Sequence, residues 1–205
     1  MGNVRSVYNA ISLLGEQVII TDDKDKISNA EAIILPGVGS FYDGMNNLEQ
    51  KGLLELLNEE IIEKKKPYLG ICLGLEFLAK TSCEGGEHKG FGWLNGTIEK
   101  ITPKVSNLKV PHMGWDETKV LKNDGLLKDL IDPSFYYLHS YYFKVDKNEK
   151  EFVTSICDYG GVPIVSTIQK GNIYAVQFHP EKSQIEGIKL LKNFIDDIRR
   201  KNVKT

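Results

Sequence analysis

Two short segments of this chain carry side chains suited to nucleophilic chemistry. In the first, Cys72 lies between Gly70 and Gly74, directly after an apolar run that predicts a buried strand. A Gly-x-Cys-x-Gly pattern is typical of a nucleophile elbow, a sharp strand-to-helix turn whose glycines let the backbone pass closely. At a helix N-terminus, unpaired N–H groups and the helix dipole favour a thiolate. We therefore predict that Cys72 is a nucleophile.

The second segment is His179-Pro180-Glu181, which follows the strand-like run 174–178. In an extended chain, His179 and Glu181 project to the same face, because successive side chains alternate. A base oriented by a carboxylate is the arrangement that activates a nucleophile. Alone, each segment is also typical of a tight turn around a buried cysteine or of an ordinary loop. Together they predict catalysis by Cys72, His179 and Glu181.

The elements around these segments alternate between helix and strand. The hydrophobic spacing predicts, in chain order, helix 4–14, strands 17–20 and 32–35, helix 48–63, strand 67–71, helix 73–80, strands 135–145, 152–158, 164–168 and 172–178, and helix 185–199. Gln169-Lys170-Gly171 is a hairpin signal between the last two strands. This order predicts an α/β fold with a parallel doubly wound sheet, in one domain spanning residues 1–205.

Composition excludes several classes of protein. A formal net charge of -2 gives no reason to propose nucleic acid or a membrane surface as a partner. We find no apolar run as long as a membrane span and no secretory signal. The three cysteines show neither metal nor disulfide spacing, which suits a reducing cytoplasm. Cys83 and Cys157 are therefore interpreted as packing or surface thiols, and no metal site is predicted.

The chain resembles the class I glutamine amidotransferases, and among them the glutaminase subunits of imidazole glycerol phosphate synthase. The resemblance covers nearly the whole chain. The segments that carry it are Pro36-Gly37-Val38-Gly39-Ser40-Phe41, Gly70-Ile71-Cys72-Leu73-Gly74, Val110-Pro111-His112-Met113-Gly114-Trp115, His139-Ser140-Tyr141-Tyr142 and Gln177-Phe178-His179-Pro180-Glu181-Lys182-Ser183. It implies an open, mostly parallel flavodoxin-like sheet with helices on both faces, here without its first strand.

The resemblance also implies how glutamine is hydrolysed, through a cysteine thioester. The elbow predicts the Leu73 backbone N–H as one oxyanion donor. By resemblance, the second donor is Val38, between Gly37 and Gly39, and the backbone around Ser140 and Tyr141 holds the amino-acid end of glutamine. No cofactor is implied.

One substrate-binding position departs from the family. Glu76 stands four residues after the nucleophile, where the family usually has a glutamine that helps to hold the substrate. An anion at Glu76 would attract the substrate ammonium or repel its carboxylate, and the sequence leaves both open. His112 is interpreted as structural or near a subunit interface, and His139 as structural or, by resemblance, close to the pocket.

By resemblance, the partner is a (β/α)8-barrel cyclase that uses the ammonia to form imidazole glycerol phosphate and aminoimidazole carboxamide ribotide in histidine biosynthesis. Asn3, Trp115 and Lys182 match positions at that interface. Two alternatives stay open. One is a paralogous subunit that feeds ammonia to a sugar-modifying synthase in surface polysaccharide biosynthesis, which Glu76 and Asp116 make worth considering. The other is a non-catalytic binding subunit.

The start of the chain departs from the family as well. The sequence opens directly on a helix, whereas the family has a buried strand ending in Asp-Tyr-Gly before the residues that match Gly2-Asn3. We expect translation to begin upstream of Met1, by roughly one strand of 8 to 12 residues. The alternative is a tolerated deletion, in which another segment fills the slot or the sheet closes up.

Overall fold

The structure is a computed structural model that describes residues 3–105 and 107–202. Its α-helices are α1 (Val4–Leu13), α2 (Lys24–Asn29), α3 (Phe41–Gln50), α4 (Leu53–Asn58), α5 (Leu73–Glu76) and α6 (Gln184–Asn202). Its strands are β1 (Ile33–Gly37), β2 (Tyr68–Cys72), β3 (Thr81–Ser82), β4 (His88–Lys89), β5 (Gly96–Lys100), β6 (His112–Glu117), β7 (Lys119–Val120), β8 (Ser134–His139), β9 (Tyr141–Val145), β10 (Val153–Tyr159), β11 (Val162–Lys170) and β12 (Ile173–Val176). Met1 and Gly2 lie outside the described residues.

The central sheet has six strands in the order β1-β2-β12-β11-β10-β7. The pairs β1–β2 and β2–β12 are parallel, and the remaining three pairs are antiparallel. Tight turns at Gly160-Gly161 and at Gly171, all with positive φ, connect β10 to β11 and β11 to β12. A short turn can only join antiparallel neighbours. The predicted α/β class is confirmed, but the prediction of a mostly parallel sheet is wrong, because three of the five strand pairs of this sheet are antiparallel.

Helices cover the two faces of this sheet. On one face, α1 and α6 pack against the sheet through apolar side chains that include Val7, Ile11, Leu190 and Phe194. On the other face, α3 and α4 pack through Phe41, Leu48, Leu53 and Leu57. The helical spacing predicted α1 and α6 correctly, because each has one apolar stripe that faces the core.

The predicted strand 17–20 is wrong. Residues 16–23 are extended but belong to no sheet, and Ile19 and Ile20 are more than half exposed. Within the part of the chain that the structure describes, β1 pairs only with β2, so its outer edge is open, but residues 17–20 do not pair with it. An apolar run becomes a sheet strand only if it also aligns with a neighbouring strand.

Three other predicted elements have different bounds. The helix predicted over 48–63 is interrupted at Gly52, which has φ +61, and ends in a π-helical turn at Glu59–Glu63. The helix predicted over 73–80 ends at Glu76, where the hydrogen bonds tighten to i−3. The strand predicted over 135–145 divides at Ser140 into β8, which pairs with β6, and β9, which pairs with β5.

Among the described residues, no helix combines the length and the apolar character that crossing a membrane requires.

Candidate active site

The nucleophile elbow has the predicted geometry. Cys72 ends β2 and has φ 53 and ψ −106, a strained conformation for a residue with a side chain. A Cβ on Gly70 would lie 2.4 Å from the Gly74 carbonyl oxygen, and one on Gly74 would lie 2.0 Å from the Leu35 carbonyl oxygen. No larger residue fits at either position. The turn therefore depends on both glycines, which hold Cys72 at the carboxyl end of the parallel strands.

The predicted oxyanion segment lies beside this elbow. In the parallel pairing of β1 with β2, Gly37 is directly opposite Cys72. A Cβ on Gly37 would come within 2.8 Å of the Leu73 side chain, so glycine allows the two segments to approach closely. Val38 is partly exposed next to them, and Gly39 has φ +107. The structure thus brings Gly37 close to Leu73, and the oxyanion role of Val38 stays a prediction.

His179 and Glu181 form the predicted pair, but not in an extended chain, because Pro180–Lys182 is a 3-10 turn that begins after His179. His179 Nδ1 lies 2.8 Å from Glu181 Oε1, and both side chains are completely buried. The Asn3 side-chain amide donates to the same carboxylate oxygen and lies 3.4 Å from His179 Nδ1. Asn3, which the resemblance assigns to the interface, therefore touches the histidine–carboxylate pair in this structure.

The hydrogen bond between nucleophile and base is not formed in this structure. Cys72 Sγ instead donates to the Leu138 carbonyl oxygen at 3.8 Å. His179 Nε2 and Glu181 Oε2 are buried and have no hydrogen-bond partner among the described residues. Catalytic hydrogen bonds are often long without substrate and tighten only in the complex. His179 Nε2 is left available to accept a proton.

The expectation of a thiolate at Cys72 is wrong for this state of the molecule. Burial raises the pKa of the Cys72 thiol well above its ordinary value, and Glu76 and Glu181 raise that pKa further. The hydrogen bond from the Leu73 backbone opposes this shift. Helix α5, with only four residues, contributes too small a dipole to compensate. The Cys72 thiol therefore needs a base to take its proton, and His179 Nε2 is unpaired among the described residues.

Glu76 ends the short helix that follows Cys72 and is buried. Its Oε1 accepts a hydrogen bond from Gln177 Nε2 at 3.0 Å. Burial raises the pKa of Glu76 to about 8, with Glu84 adding to the shift and Gln177 opposing it. At neutral pH the carboxyl is therefore largely protonated. A protonated carboxyl has one donor and one acceptor, so it resembles the amide that the family usually has at this position.

Two polar residues of the pocket were not predicted as site residues. Gln177 is fully buried, and its Nε2 also lies 3.9 Å from Cys72 Sγ while its Oε1 has no partner among the described residues. Glu84 accepts a hydrogen bond from the Phe41 backbone N–H at 2.7 Å, at the start of α3. The alternation before His179 could have indicated that Gln177 points inward, whereas nothing in the sequence marks Glu84.

The predicted substrate-binding backbone lies where β8 passes into β9. The Ser140 carbonyl accepts a hydrogen bond from the Ile101 N–H at 2.9 Å, and the Tyr141 carbonyl lies 2.7 Å from His139 Nδ1. Burial raises the pKa of the Tyr141 phenol, and Glu84 and Glu76 contribute to this shift. The Tyr141 phenol therefore lies near enough to Glu84 and Glu76 to experience their charge.

Trp115 and Lys182 lie together on the surface, apart from the pocket. Trp115 is about half exposed at 48%, and its ring meets that of Tyr136 edge-on at 6.3 Å. Lys182 Nζ lies 5.5 Å from the centre of the Tyr136 ring. Met113, two residues before Trp115 on β6, is 65% exposed on the same strand face. We call Met113, Trp115, Tyr136 and Lys182 the docking face.

Hydrogen bonds of the Tyr136 backbone connect the docking face to the segment that carries His179. The Tyr136 carbonyl accepts from the His179 N–H at 2.9 Å, and the Tyr136 N–H donates to Ser183 Oγ at 3.0 Å. Two residues further along β8, the Leu138 carbonyl contacts Cys72 Sγ. A shift of β8 would therefore move hydrogen-bond partners of both Cys72 and His179.

Solved structures similar to this chain share its fold. A crystal structure of a glutamine amidotransferase matches with a TM-score of 0.72 at 20% identity, covering 97% of this chain and 95% of the other. The structure of PurLQS from Thermotoga maritima matches with a TM-score of 0.70 at 18% identity, covering 95% of this chain and 92% of the other.

Sequence comparisons are more specific. Imidazole glycerol phosphate synthase subunit HisH 2 of Methanococcus maripaludis is 46% identical over 197 residues, which cover 95% of each chain. Subunit HisH of Moorella thermoacetica is 43% identical over 200 residues, covering 97% of this chain and 92% of the relative. The family model "Glutamine amidotransferase class-I" matches residues 2–198. The chain therefore belongs to the class-I glutamine amidotransferase family and, within it, to the imidazole glycerol phosphate synthase HisH subunits.

Proposed function

We propose that this chain hydrolyses glutamine to glutamate and ammonia and delivers the ammonia to a cyclase subunit. The observation that carries the proposal is the convergence of three segments at one end of the parallel strands. These are the Cys72 elbow, Gly37 directly opposite it, and the buried His179–Glu181 pair.

The chemistry follows from these groups. Cys72 attacks the side-chain amide carbon of glutamine while His179 Nε2 takes the thiol proton. The backbone N–H groups of Leu73 and Val38 stabilise the oxyanion of the tetrahedral intermediate. His179 then gives the proton to the departing ammonia, leaving a thioester that water hydrolyses. Glu181 holds the imidazole tautomer and supports its charge.

Substrate recognition is assigned to Ser140, Tyr141 and Glu76. The backbone of Ser140 and Tyr141 holds the amino-acid end of glutamine. Protonated Glu76 offers a hydrogen bond there without adding a charge, so it neither attracts the substrate ammonium nor repels the carboxylate. Ionisation of Glu76 above about pH 8 would weaken glutamine binding.

The proposed partner is a (β/α)8-barrel cyclase that uses the ammonia to make imidazole glycerol phosphate and aminoimidazole carboxamide ribotide in histidine biosynthesis. The docking face supports this choice, because it combines exposed aromatic and apolar side chains with a cation. We place this single domain, residues 1–205, in the cytoplasm as one subunit of a heterodimer. The alternatives, a sugar-modifying pathway and a non-catalytic subunit, gain no support from the relatives named above.

The decisive experiment compares glutamine-dependent and ammonia-dependent synthesis by the complex with the cyclase. Cys72→Ala should lower glutamine-dependent turnover by roughly 10³-fold or more, whereas turnover with added ammonia should persist because it bypasses this site. Circular dichroism checks that the variant is folded. Retained glutamine turnover would end the assignment of Cys72 as the nucleophile.

The same assay tests the partner. Glutaminase activity should be weak for the chain alone and rise when the cyclase and its ligand bind, since a rotation of the Gly37-Val38-Gly39 backbone is expected to precede catalysis. Lys182→Glu should weaken this stimulation, whereas Lys104→Glu on an exposed loop should not. Full activity of the isolated chain would rule out gating by the partner.

A further inference from the structure

Three metal-ligating side chains converge outside the proposed active site. His112 and Asp116 lie on β6, and Cys157 lies on the neighbouring strand β10. One ligand atom from each residue lies within 4.8 Å of the other two, and His112 Nε2 is 3.3 Å from Asp116 Oδ2. His112 and Cys157 are buried. Cys157 lies about 40 residues after the two β6 ligands, so sequence spacing gave no indication of this cluster.

The orientation of the His112 ring is set by its surroundings. The ring lies between Tyr137, with centroids 4.7 Å apart, and Tyr159, with centroids 4.0 Å apart, nearly parallel to both. His112 Nδ1 is also 3.1 Å from His139 Nε2. His112 therefore has little freedom to rotate away from Asp116.

The hydrogen bonds assign the tautomers. His139 Nδ1 lies 2.7 Å from the Tyr141 carbonyl oxygen, which can only accept, so His139 Nδ1 carries the hydrogen. His139 Nε2 is then the acceptor, and His112 Nδ1 must donate to it. A neutral His112 consequently directs the lone pair of Nε2 at a carboxylate oxygen. Two acceptors at 3.3 Å require a proton or a metal ion between them.

This arrangement matches that of a histidine bound to a metal. Such a ligand usually donates its second N–H to an acceptor that fixes its orientation, and His139 provides that acceptor. A set of one imidazole, one thiolate and one carboxylate suits Zn²⁺ and similar ions, whereas Mg²⁺ and Ca²⁺ prefer oxygen ligands alone. The Asp116 side chain is 36% exposed, so it leaves a route for entry and room for a water ligand.

We propose that His112, Asp116 and Cys157 form a binding site for one Zn²⁺-class ion, with water in the fourth position. The S–H bond of Cys157 breaks as the metal–sulfur bond forms, the proton passes to solvent, and no atom changes oxidation state. The bound ion links β6 to β10 directly behind Trp115 of the docking face. Two hydrogen-bonded histidines, His112 and His139, connect it to the Tyr141 backbone.

The test uses Co²⁺ as a spectroscopic probe on the reduced, full-length chain. A thiolate-to-cobalt charge-transfer band should saturate at one equivalent of Co²⁺, and Zn²⁺ should displace it. Cys157→Ser should abolish the band. Cys72→Ala and Cys83→Ser, which remove the other two thiols, should leave it unchanged.

Asp116→Asn provides a second variant at a partly exposed position, where the fold is expected to tolerate the change. It should weaken Co²⁺ binding by about 10-fold or more, and saturating Zn²⁺ should raise the unfolding temperature of the parent chain more than that of Asp116→Asn. A chain without a band would show that His112 and Asp116 form only an ion pair. A band that survives Cys157→Ser, or undiminished binding by Asp116→Asn, would also overturn the site.

Discussion

Two buried polar clusters in this molecule differ in how completely they are hydrogen-bonded. The catalytic cluster, formed by Cys72, Glu76, Gln177, His179 and Glu181, contains three buried side-chain atoms that have no partner among the described residues. The hydroxyl cluster consists of Thr154, Ser155 and Thr167, on the antiparallel strands β10 and β11. Thr167 Oγ1 lies 2.6 Å from Thr154 Oγ1 and 2.7 Å from Ser155 Oγ, so each hydroxyl is paired.

The difference separates the two roles of buried polar groups. Nearly all such groups in folded proteins are paired, because an unpaired one costs about 1–3 kcal/mol. The hydroxyl cluster follows this rule and stabilises the fold. The catalytic cluster departs from it at His179 Nε2 and Gln177 Oε1, which have no partner within the described part of the chain. We infer that its unpaired atoms are kept for bonds that form only with substrate.

The largest expected effect comes from Glu181→Gln. The amide cannot stabilise a charged imidazole and favours the wrong tautomer, so kcat should fall by roughly 10²- to 10⁴-fold. The free energy of unfolding should fall by about 1–3 kcal/mol, because the Glu181 Oε1 contacts with His179 and Asn3 are weakened, which is a far smaller effect than the loss of kcat. Steady-state kinetics and urea unfolding measure the two quantities. Loss of stability with unchanged kcat would show that Glu181 stabilises the fold and does not support catalysis.

The next effect is a pH dependence of stability that arises from Glu76. The pKa of Glu76 is about 8 in the fold against an ordinary value of 4.5, so between these values the folded state holds one more proton than the unfolded state. The contribution of Glu76 to stability should therefore be fully present below about pH 4.5 and fall by about 1.4 kcal/mol per pH unit over this window. Glu76→Gln should remove this contribution, as urea unfolding at several pH values would show.

A matched control is Glu55→Gln, at an exposed position on α4, which should leave the pH slope of the parent chain unchanged. An unaltered slope in Glu76→Gln would mean that Glu76 is already ionised in the fold. The same variant should bind glutamine with a KM that does not rise above pH 8.

The smallest effect is expected in the paired cluster. Thr167→Val keeps the shape of the side chain but leaves Thr154 and Ser155 without their shared partner. The free energy of unfolding should therefore fall by about 1–3 kcal/mol. Turnover should stay that of the parent enzyme. Thr102→Val, at an exposed position, serves as the control. A loss of activity larger than the loss of stability would show that the two clusters are coupled.

Sequence reasoning was most successful where local pattern determines structure. The elbow around Cys72 follows from the close approaches that exclude any side chain at Gly70 and Gly74. The helices α1 and α6 follow from their apolar stripes. Strand 17–20 was predicted wrongly because a strand also needs a neighbour, and the periodicity of a segment contains no information about its partner.

The electrostatics of the site were less accessible from sequence. A thiolate at Cys72 was expected from the helix that follows it, but burial and Glu76 outweigh a helix of four residues. The protonation of Glu76 likewise depends on its burial beside Gln177, and the polar contact of Glu84 depends on a loop packed against α3. Each of these is a property of tertiary packing, which residue types and spacing do not specify.

The two tryptophans of the chain differ in exposure, so their fluorescence can report on one surface of the protein. Trp93 is buried and stacks on Phe91 at 4.4 Å, whereas Trp115 is about half exposed on the docking face. A soluble quencher such as acrylamide should therefore reach the emission of Trp115 far more than that of Trp93. A partner that covers the docking face would protect this fraction and shift its emission to shorter wavelength. Binding of the partner can thus be followed by intrinsic fluorescence, without any label on the protein.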